Sequence, residues 1–376
     1  MERQNRKEAR VYAKISRAAL CHNMELMRDS LPDGIRIAGV VKADAYGHGA
    51  ALVADAIKPY VSFFCVATAE EALALRAHGI QKPVLVLGPV FDSDYEDLVQ
   101  ADIRPSIFTE AQAEALSKAA EKLGRKAAFH LAVDTGMHRI GLSPDAEGVR
   151  LAERIAAFPA LDFEGMFTHF YRADEWSQET TELQEQRFRA FRTALRERGL
   201  SPRICHIANS AGILNLRGTD YDMVRAGISI YGIYPATEMQ HPLALEPVLS
   251  LHSTVTYVKE LPAGGAVSYG GTFVAERPMR VATVSVGYGD GYPRSLSNKG
   301  DVLIHGKRCR ILGRVCMDQL MADVSEVPEA EVGSPVTLLG RDGEACITLE
   351  ELAERSGRFH YEILCCLNQR VPRIDS

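Results

Sequence analysis

The sequence predicts an α/β barrel of the TIM type, eight parallel strands with intervening helices, followed by a mostly-β C-terminal domain. Three observations carry that expectation. Short apolar runs rich in β-branched residues alternate with helical patterns as far as about residue 233, as consecutive βα units do. From about Leu245 the texture changes to strand-like alternation broken by glycine-rich turns. The chain has 376 residues, which suits a barrel of ~250 residues and a second module. An open doubly wound sheet is the alternative for the first region.

In chain order the expected barrel strands are Arg36–Val41, Ser62–Ala67, Pro83–Leu87, Ile103–Phe108, Ala127–Val133, Asp162–Phe167, Ile204–Ala208 and Val224–Ile230. Helix Thr68–His78 has Thr68 as its cap with Glu71 three residues on, and Thr109–Leu123 is stopped by Gly124. The second region reads as strands Leu249–Glu260, Arg280–Val286, Asp301–Ile304, Cys309–Val315 and Pro335–Leu339, with one clear helix, Thr348–Ser356. The expected domains are 1–245 and 246–376, with the first ~15 residues able to pack on the second domain.

Composition narrows the function. Apolar residues at 46% and charged residues at 24% are the proportions of a chain that buries a large core. A net charge of -6 with interleaved signs gives no basic stripe for a nucleic-acid backbone. The charged start, Met1 to Arg10, lacks the apolar run of a signal peptide, and no stretch approaches a membrane span. A cytoplasmic protein acting on a small molecule is expected. Eight scattered cysteines without a C-x-x-C pair suggest neither a zinc site nor a disulfide framework.

The most informative segment is Val41-Lys42-Ala43-Asp44-Ala45-Tyr46-Gly47-His48-Gly49, where an apolar strand ends in a lysine at the barrel mouth. A lysine in such surroundings loses basicity, and a depressed pKa makes lysine a Schiff-base nucleophile. Taken alone, Lys42 reads better as a lysine snorkelling at a strand end.

This nine-residue run resembles the cofactor-lysine signature of bacterial alanine racemases. The likeness continues through Val133-Asp134-Thr135-Gly136-Met137-His138-Arg139-Ile140-Gly141, Phe167-Thr168-His169-Phe170, Asn209-Ser210-Ala211 and Val224-Arg225-Ala226-Gly227-Ile228. In the second region it covers Ser268-Tyr269-Gly270, Val286 to Tyr292, Cys316-Met317-Asp318-Gln319 and Tyr361-Glu362-Ile363-Leu364. The resemblance implies a pyridoxal 5′-phosphate enzyme that interconverts L- and D-alanine and supplies D-alanine for peptidoglycan in a bacterial cytoplasm. It implies a homodimer in which the second domain of one chain caps the barrel of the other, and no metal.

The resemblance also assigns residues. Lys42 holds the cofactor and serves one face of the substrate; Tyr269 serves the other. Racemisation needs one proton-handling group on each face of the planar carbanion. A phenol is a poor base at neutral pH, and His169, bridging Tyr269 to Arg225, answers that need. Arg225 faces the pyridine nitrogen; arginine donates there without protonating it, so the ring is a weaker electron sink and stray transamination is disfavoured. Ser210 and the backbone of Gly227 and Ile228 follow strands seven and eight, where barrels commonly bind phosphate, and Tyr46 and Tyr361 are further phosphate ligands. Asn209 joins the cofactor set. Arg139 supports the cofactor phenolate oxygen and meets the substrate carboxylate with the Met317 backbone, while Asp318 and Tyr288 complete the substrate pocket. Tyr46, Tyr288, Met317 and Tyr361 crowd it, so only small side chains are expected to enter.

Each residue alone has a plainer reading: Ser210 as an N-cap, Gly227 as a turn glycine, His169 as a core histidine, Arg225 in a structural ion pair. One position departs from many relatives, which carry a lysine, often as a carbamate that orients the arginine, where this chain has Ala132. The carbamate cannot exist here, and a chloride or other anion is the expected substitute. Three rivals are weighed at this level: a cofactor carrier without turnover, against which the second region with Tyr269 and Cys316-Met317-Asp318 argues; a barrel-type decarboxylase, which Arg225 opposes; and a cofactor-free Schiff-base aldolase, which the absorbance of an internal aldimine would exclude.

Overall fold

The computed structural model describes residues 9–236, 239 and 243–376; the charged start, up to residue 8, lies outside them. Two compact units separate: Ala18–Ala45 with Ala50–Glu246, and residues 9–17 with Tyr46–Gly49 and Pro247–Ser376. The short Tyr46–Gly49 segment thus leaves the barrel unit in which its neighbours lie.

After β1 (Val11–Ile15), the barrel strands are β2 (Arg36–Val40), β3 (Phe63–Val66), β4 (Val84–Val86), β5 (Ile103–Ile107), β6 (Ala127–Ala132), β7 (Leu161–Phe167), β8 (Ile204–His206) and β9 (Met223–Ala226). They pair in parallel in the order β8-β7-β6-β5-β4-β3-β2-β9. The ends meet where Arg225 N donates to Ala208 O at 3.0 Å and Cys205 N to Asp222 Oδ2 at 2.8 Å. Strands covered on both faces are apolar along their whole length, and every residue of β3 and β4 is buried.

Capping chemistry sets the helices. Thr68 Oγ1 accepts from Glu71 N ahead of helix Ala69–Ala77. Thr109 closes a reciprocal capping box with Gln112 ahead of Glu110–Lys122, and Gly124 follows in the left-handed region at φ 61. Most barrel strands end within two residues of their expected bounds, but the last stops four residues short. Val224–Ile230 reads as continuous, but β9 stops at Ala226 because Ser210 Oγ accepts from Gly227 N (2.9 Å) and Ser229 N (3.3 Å), and Ile228–Tyr231 winds into a 3-10 turn.

The other unit contains β10 (Leu249–Leu261), β11 (Ala266–Val267), β12 (Phe273–Val274), β13 (Met279–Val284), β14 (Asp301–Ile304), β15 (Lys307–Leu312), β16 (Leu320–Asp323), β17 (Pro335–Asp342), β18 (Ala345–Ile347) and β19 (Arg373–Asp375). Its main sheet runs β18-β17-β14-β15-β16-β13-β10-β1-β19, and a β17–β10 pairing closes six of these strands into a ring. β1 joins antiparallel to β10, with Val11 opposite Ser253. β15 starts two residues earlier than the expected Cys309, because His305 and Gly306, both at positive φ, make a two-residue hairpin pairing Ile304 with Lys307. It ends at Leu312 because Gly313 sits at φ 72, where a Cβ would lie 2.6 Å from Val267 O. A second helix, His360–Cys365, follows Leu349–Ser356; only the latter is legible as a helix in the sequence.

Candidate active site

At the C-terminal ends of the barrel strands lies a cavity of about 280 Å³ whose lining includes Lys42, Arg139, His169 and Arg225, with Ala132 and Asp134. Asp134 is the one acid of that lining, and its carboxylate is engaged: Oδ1 accepts from Gly136 N (2.9 Å) and His138 N (3.0 Å). Three cationic side chains therefore dominate the field of the cavity, which suits an anionic ligand. Ala132 brings no charge beside Arg139. Among the described residues no cluster of His, Cys, Asp or Glu could hold a metal ion.

Lys42 stands two residues beyond β2, after Val41, whose N–H donates to Cys65 O at 2.9 Å. Arg225 projects from β9 and is 3% exposed. Its guanidinium donates to His206 Nδ1 (2.7 Å), Thr168 O (2.8 Å), His169 Nδ1 (3.1 Å), and the carbonyls of His206 and Ile207 (3.1 Å each). All of these acceptors are neutral. Burial lowers the Arg225 guanidinium to about 10, so it stays charged at neutral pH. Burial, with Arg225, Arg139 and Lys42 close by, holds the His169 imidazole well below its usual range, so it is neutral there.

Behind Arg225 a hydrogen-bonded chain runs through the barrel interior. His206 Nε2 meets His130 Nδ1 at 2.8 Å, His130 Nε2 reaches Glu164 Oε2 at 3.4 Å, and Arg104 Nε donates to the same oxygen at 3.0 Å. Arginine can only donate and carboxylate can only accept. The direction is thereby forced: Arg225 donates to His206, His206 Nε2–H to His130, and His130 Nε2–H to Glu164, with one tautomer for each imidazole. β6 and β8 flank β7, so their histidines meet only inside the barrel. Gly165 makes the room, since a Cβ there would lie 2.6 Å from the His130 ring.

The expected phosphate ligands divide between the units. In the barrel unit Asn209 caps helix Ser210–Leu214 through Gly212 N (3.0 Å), and Ser210 Oγ gathers the Gly227 and Ser229 amides. Ser229 Oγ, buried beside them, has no hydrogen-bond partner among the described residues. The two amides are taken by Ser210 Oγ, which leaves the Ser210 and Ser229 hydroxyl hydrogens side by side as donors that fit a phosphate oxygen. In the other unit Tyr46 and Tyr361 stand edge to face with centroids 6.1 Å apart, and Gly47 is so close to the Leu364 carbonyl that a Cβ would lie 2.1 Å from its oxygen. That unit also holds Tyr269, 70% exposed, and brings Tyr288 and Met317 onto adjoining backbone: Tyr288 N donates to Cys316 O (3.1 Å) and Gly289 N to Met317 O (2.8 Å). Asp318 Oδ1 accepts from Arg370 at 2.5 Å.

Sequence reasoning missed His130, His206 and Glu164. A usable signal existed for two of them: His130 and His206 each sit inside an otherwise apolar strand run, where burial is tolerated only with partners, whereas Glu164 shares β7 with Asp162 and carries no such signal.

A lysine at the mouth of a cationic cavity, at the C-terminal face of an eight-stranded barrel that is followed by a β-rich unit, defines a barrel enzyme for small anionic ligands. Comparison with known proteins narrows the class. The family described as alanine racemase, N-terminal domain, matches residues 15–235, and alanine racemase, C-terminal domain, matches residues 248–375. An alanine racemase of Halothermothrix orenii is 39% identical over 363 residues, 96% of each chain. The solved alanine racemase of Clostridium difficile 630 superimposes with a TM-score of 0.94 at 36% identity, covering 97% of this chain and 95% of that one. That of Bacillus anthracis, solved with bound L-Ala-P, gives 0.91 at 34% identity over 98% and 95%. The chain belongs to the alanine racemase family.

Proposed function

We propose that the protein interconverts L- and D-alanine with pyridoxal 5′-phosphate held by Lys42, supplying D-alanine for peptidoglycan. One observation carries the reading: Lys42 and Arg225 line one cavity, and Arg225 has only neutral partners. The donor set fits the cofactor. Lys42 offers the amine, Ser210 with the Gly227 and Ile228 backbone, Asn209, Tyr46 and Tyr361 suit the phosphate, and Arg139 suits the phenolate oxygen. When bound, the cofactor spreads the charge left on the substrate Cα into its ring. Arg225, a donor that does not give up its proton, would face the ring nitrogen and keep the ring from deepening that sink. Lys42 Nζ takes the α-proton from one face while Tyr269 Oη gives one on the other, and the roles reverse for the D-isomer. His169, neutral and donor-linked to Arg225, orients that phenol. Arg139 and the Met317 backbone hold the substrate carboxylate, with Asp318 and Tyr288 around the side chain.

The working form is inferred to be a homodimer in which Tyr269 comes from the second chain. Its exposure supports this, as does that of Met317 (52%), since large apolar groups left bare mark a surface to be covered. No helix of the described residues is long and apolar enough to cross a membrane. Borohydride reduction of the holoenzyme and peptide mapping test the cofactor assignment, with loss of optical activity from L-alanine as the companion assay. Pyridoxyl label on a lysine other than Lys42, or no loss of rotation, would overturn the reading.

A further inference from the structure

Immediately after Lys42 the backbone reverses hand. Ala43, Asp44, Ala45 and Tyr46 all lie in the left-handed region, at φ 53, 52, 55 and 52. None is glycine, and of the four only aspartate visits that region readily; consecutive non-glycine residues there are strained and persist only where the surroundings over-determine them. Something must hold the turn.

The Ala45 N–H donates to Val41 O at 2.9 Å across the turn, and Glu71 ties it from outside. By sequence it belongs to the capping motif Thr68-x-x-Glu71, in which the glutamate should fold back onto the N-cap amide. Half of that motif forms: Thr68 Oγ1 accepts from Glu71 N at 3.3 Å. The carboxylate goes elsewhere. Its Oε2 accepts from Ala67 N at 2.7 Å, one residue before the cap, and its Oε1 accepts from Ala43 N at 2.6 Å, 28 residues away in the loop after β2. One carboxylate therefore ties the loops after β2 and β3, each oxygen taking one amide in a short charge-assisted bond. Asp44 Oδ1 supports the turn by accepting from Ala50 N at 2.7 Å.

We propose that Glu71 is a positioning residue for the reaction: it locks the left-handed turn that follows Lys42, and so fixes the direction in which the lysine enters the cavity. The inference rests on Lys42 being the cofactor lysine. Only a carboxylate serves, because glutamine would turn an NH2 group toward one of the two amides.

The test uses holoenzyme carrying Glu71→Gln, which keeps size and removes one acceptor. A lysine displaced by a fraction of an ångström loses rate more than binding, so kcat should fall by about a hundredfold with KM changed less than about threefold. Amide exchange, read by mass spectrometry on peptides covering residues 42–50, should speed up by about tenfold or more. Adding Ala43→Gly, at an exposed position where glycine removes the left-handed penalty, should restore kcat to within about tenfold of the parent and slow the exchange again. Thr68→Ala, which deletes the helix cap and leaves the clamp, should leave exchange of residues 42–50 unchanged. Unaltered exchange in Glu71→Gln, or no rescue by the added glycine, overturns the proposal; a Thr68→Ala variant that loosens residues 42–50 equally would reduce Glu71 to an ordinary cap. The exchange readout does not depend on what Lys42 binds, and pyridoxyl mapping of the parent tests that reading separately.

Discussion

Replacing Glu164 by glutamine should cost stability in a pH-dependent way that the chain behind Arg225 dictates. Burial alone would raise the Glu164 carboxyl, but the hydrogen bond from His130 and the charge and hydrogen bond of Arg104 outweigh it and hold the group at about 2, against an ordinary value of 4.5. At about 1.4 kcal/mol for each pH unit of displacement, the folded state gains roughly 3 kcal/mol from the ionised carboxylate. The side chain is only 12% exposed, so solvent screens little of this. A carboxyl depressed on folding contributes fully above its unfolded value and loses the contribution as pH falls through its folded value. The Glu164→Gln variant should therefore be less stable than the parent by roughly 3 kcal/mol at pH 7, with the gap shrinking below about pH 4.5 and nearly closed at about pH 2. Urea unfolding followed by circular dichroism, at fixed cofactor concentration and stepped pH, measures it. A gap that does not change between pH 7 and pH 3, or one under about 1 kcal/mol at pH 7, would refute the account.

Burial holds His130, His169 and His206 below their ordinary value of 6.5. The unfolded chain therefore binds protons first, and stability should decline as pH falls below about 6.5; His206→Gln should remove up to about 1.4 kcal/mol per pH unit of that slope, read from unfolding midpoints between pH 7 and pH 5. Arg225→Glu places an acid where the ring nitrogen is expected; racemisation should slow by at least about tenfold while the fraction of turnovers lost to transamination, assayed as pyruvate, rises. An unchanged partition would contradict the role given to Arg225. Refolding together the inactive variants Lys42→Ala and Tyr269→Phe in equal amounts should restore roughly a quarter of the sites if each site is shared between two chains, because half the dimers are hybrid and half of their sites carry neither lesion. Zero recovery from demonstrably mixed dimers would place both residues in one chain.

Much of the barrel was legible because its signals are local. β3 and β4 are short continuous apolar runs, and Thr68 and Thr109 start helices through atoms three residues away. The strand-end position of Lys42 could likewise be read from one segment. Elsewhere a distant partner decided the outcome. β9 ends at Ala226 because Ser210, sixteen positions before that residue, takes the following amides, and no property of Gly227-Ile228-Ser229-Ile230 itself announces this. Glu71 looks like a capping glutamate, but its second oxygen is claimed by Ala43 across a barrel loop.

The interior chain shows most clearly where sequence stops. Phe129 pairs with Phe163 but His130 pairs with Gly165, so β7 carries an irregularity at Glu164. Strand alternation cannot foresee such a bulge, which re-aims the extra side chain. By itself the sequence determined the barrel's strands to within a few residues, the longer strands and the first helix of the second unit, and which family's residues are present, since those depend on periodicity, caps and motif identity over a few residues. Only the tertiary structure decided that Arg225 is linked through two neutral histidines to Glu164 and that the turn after Lys42 is left-handed. Both depend on closing a barrel that brings residues dozens of positions apart within 3.5 Å, and no local pattern encodes that closure.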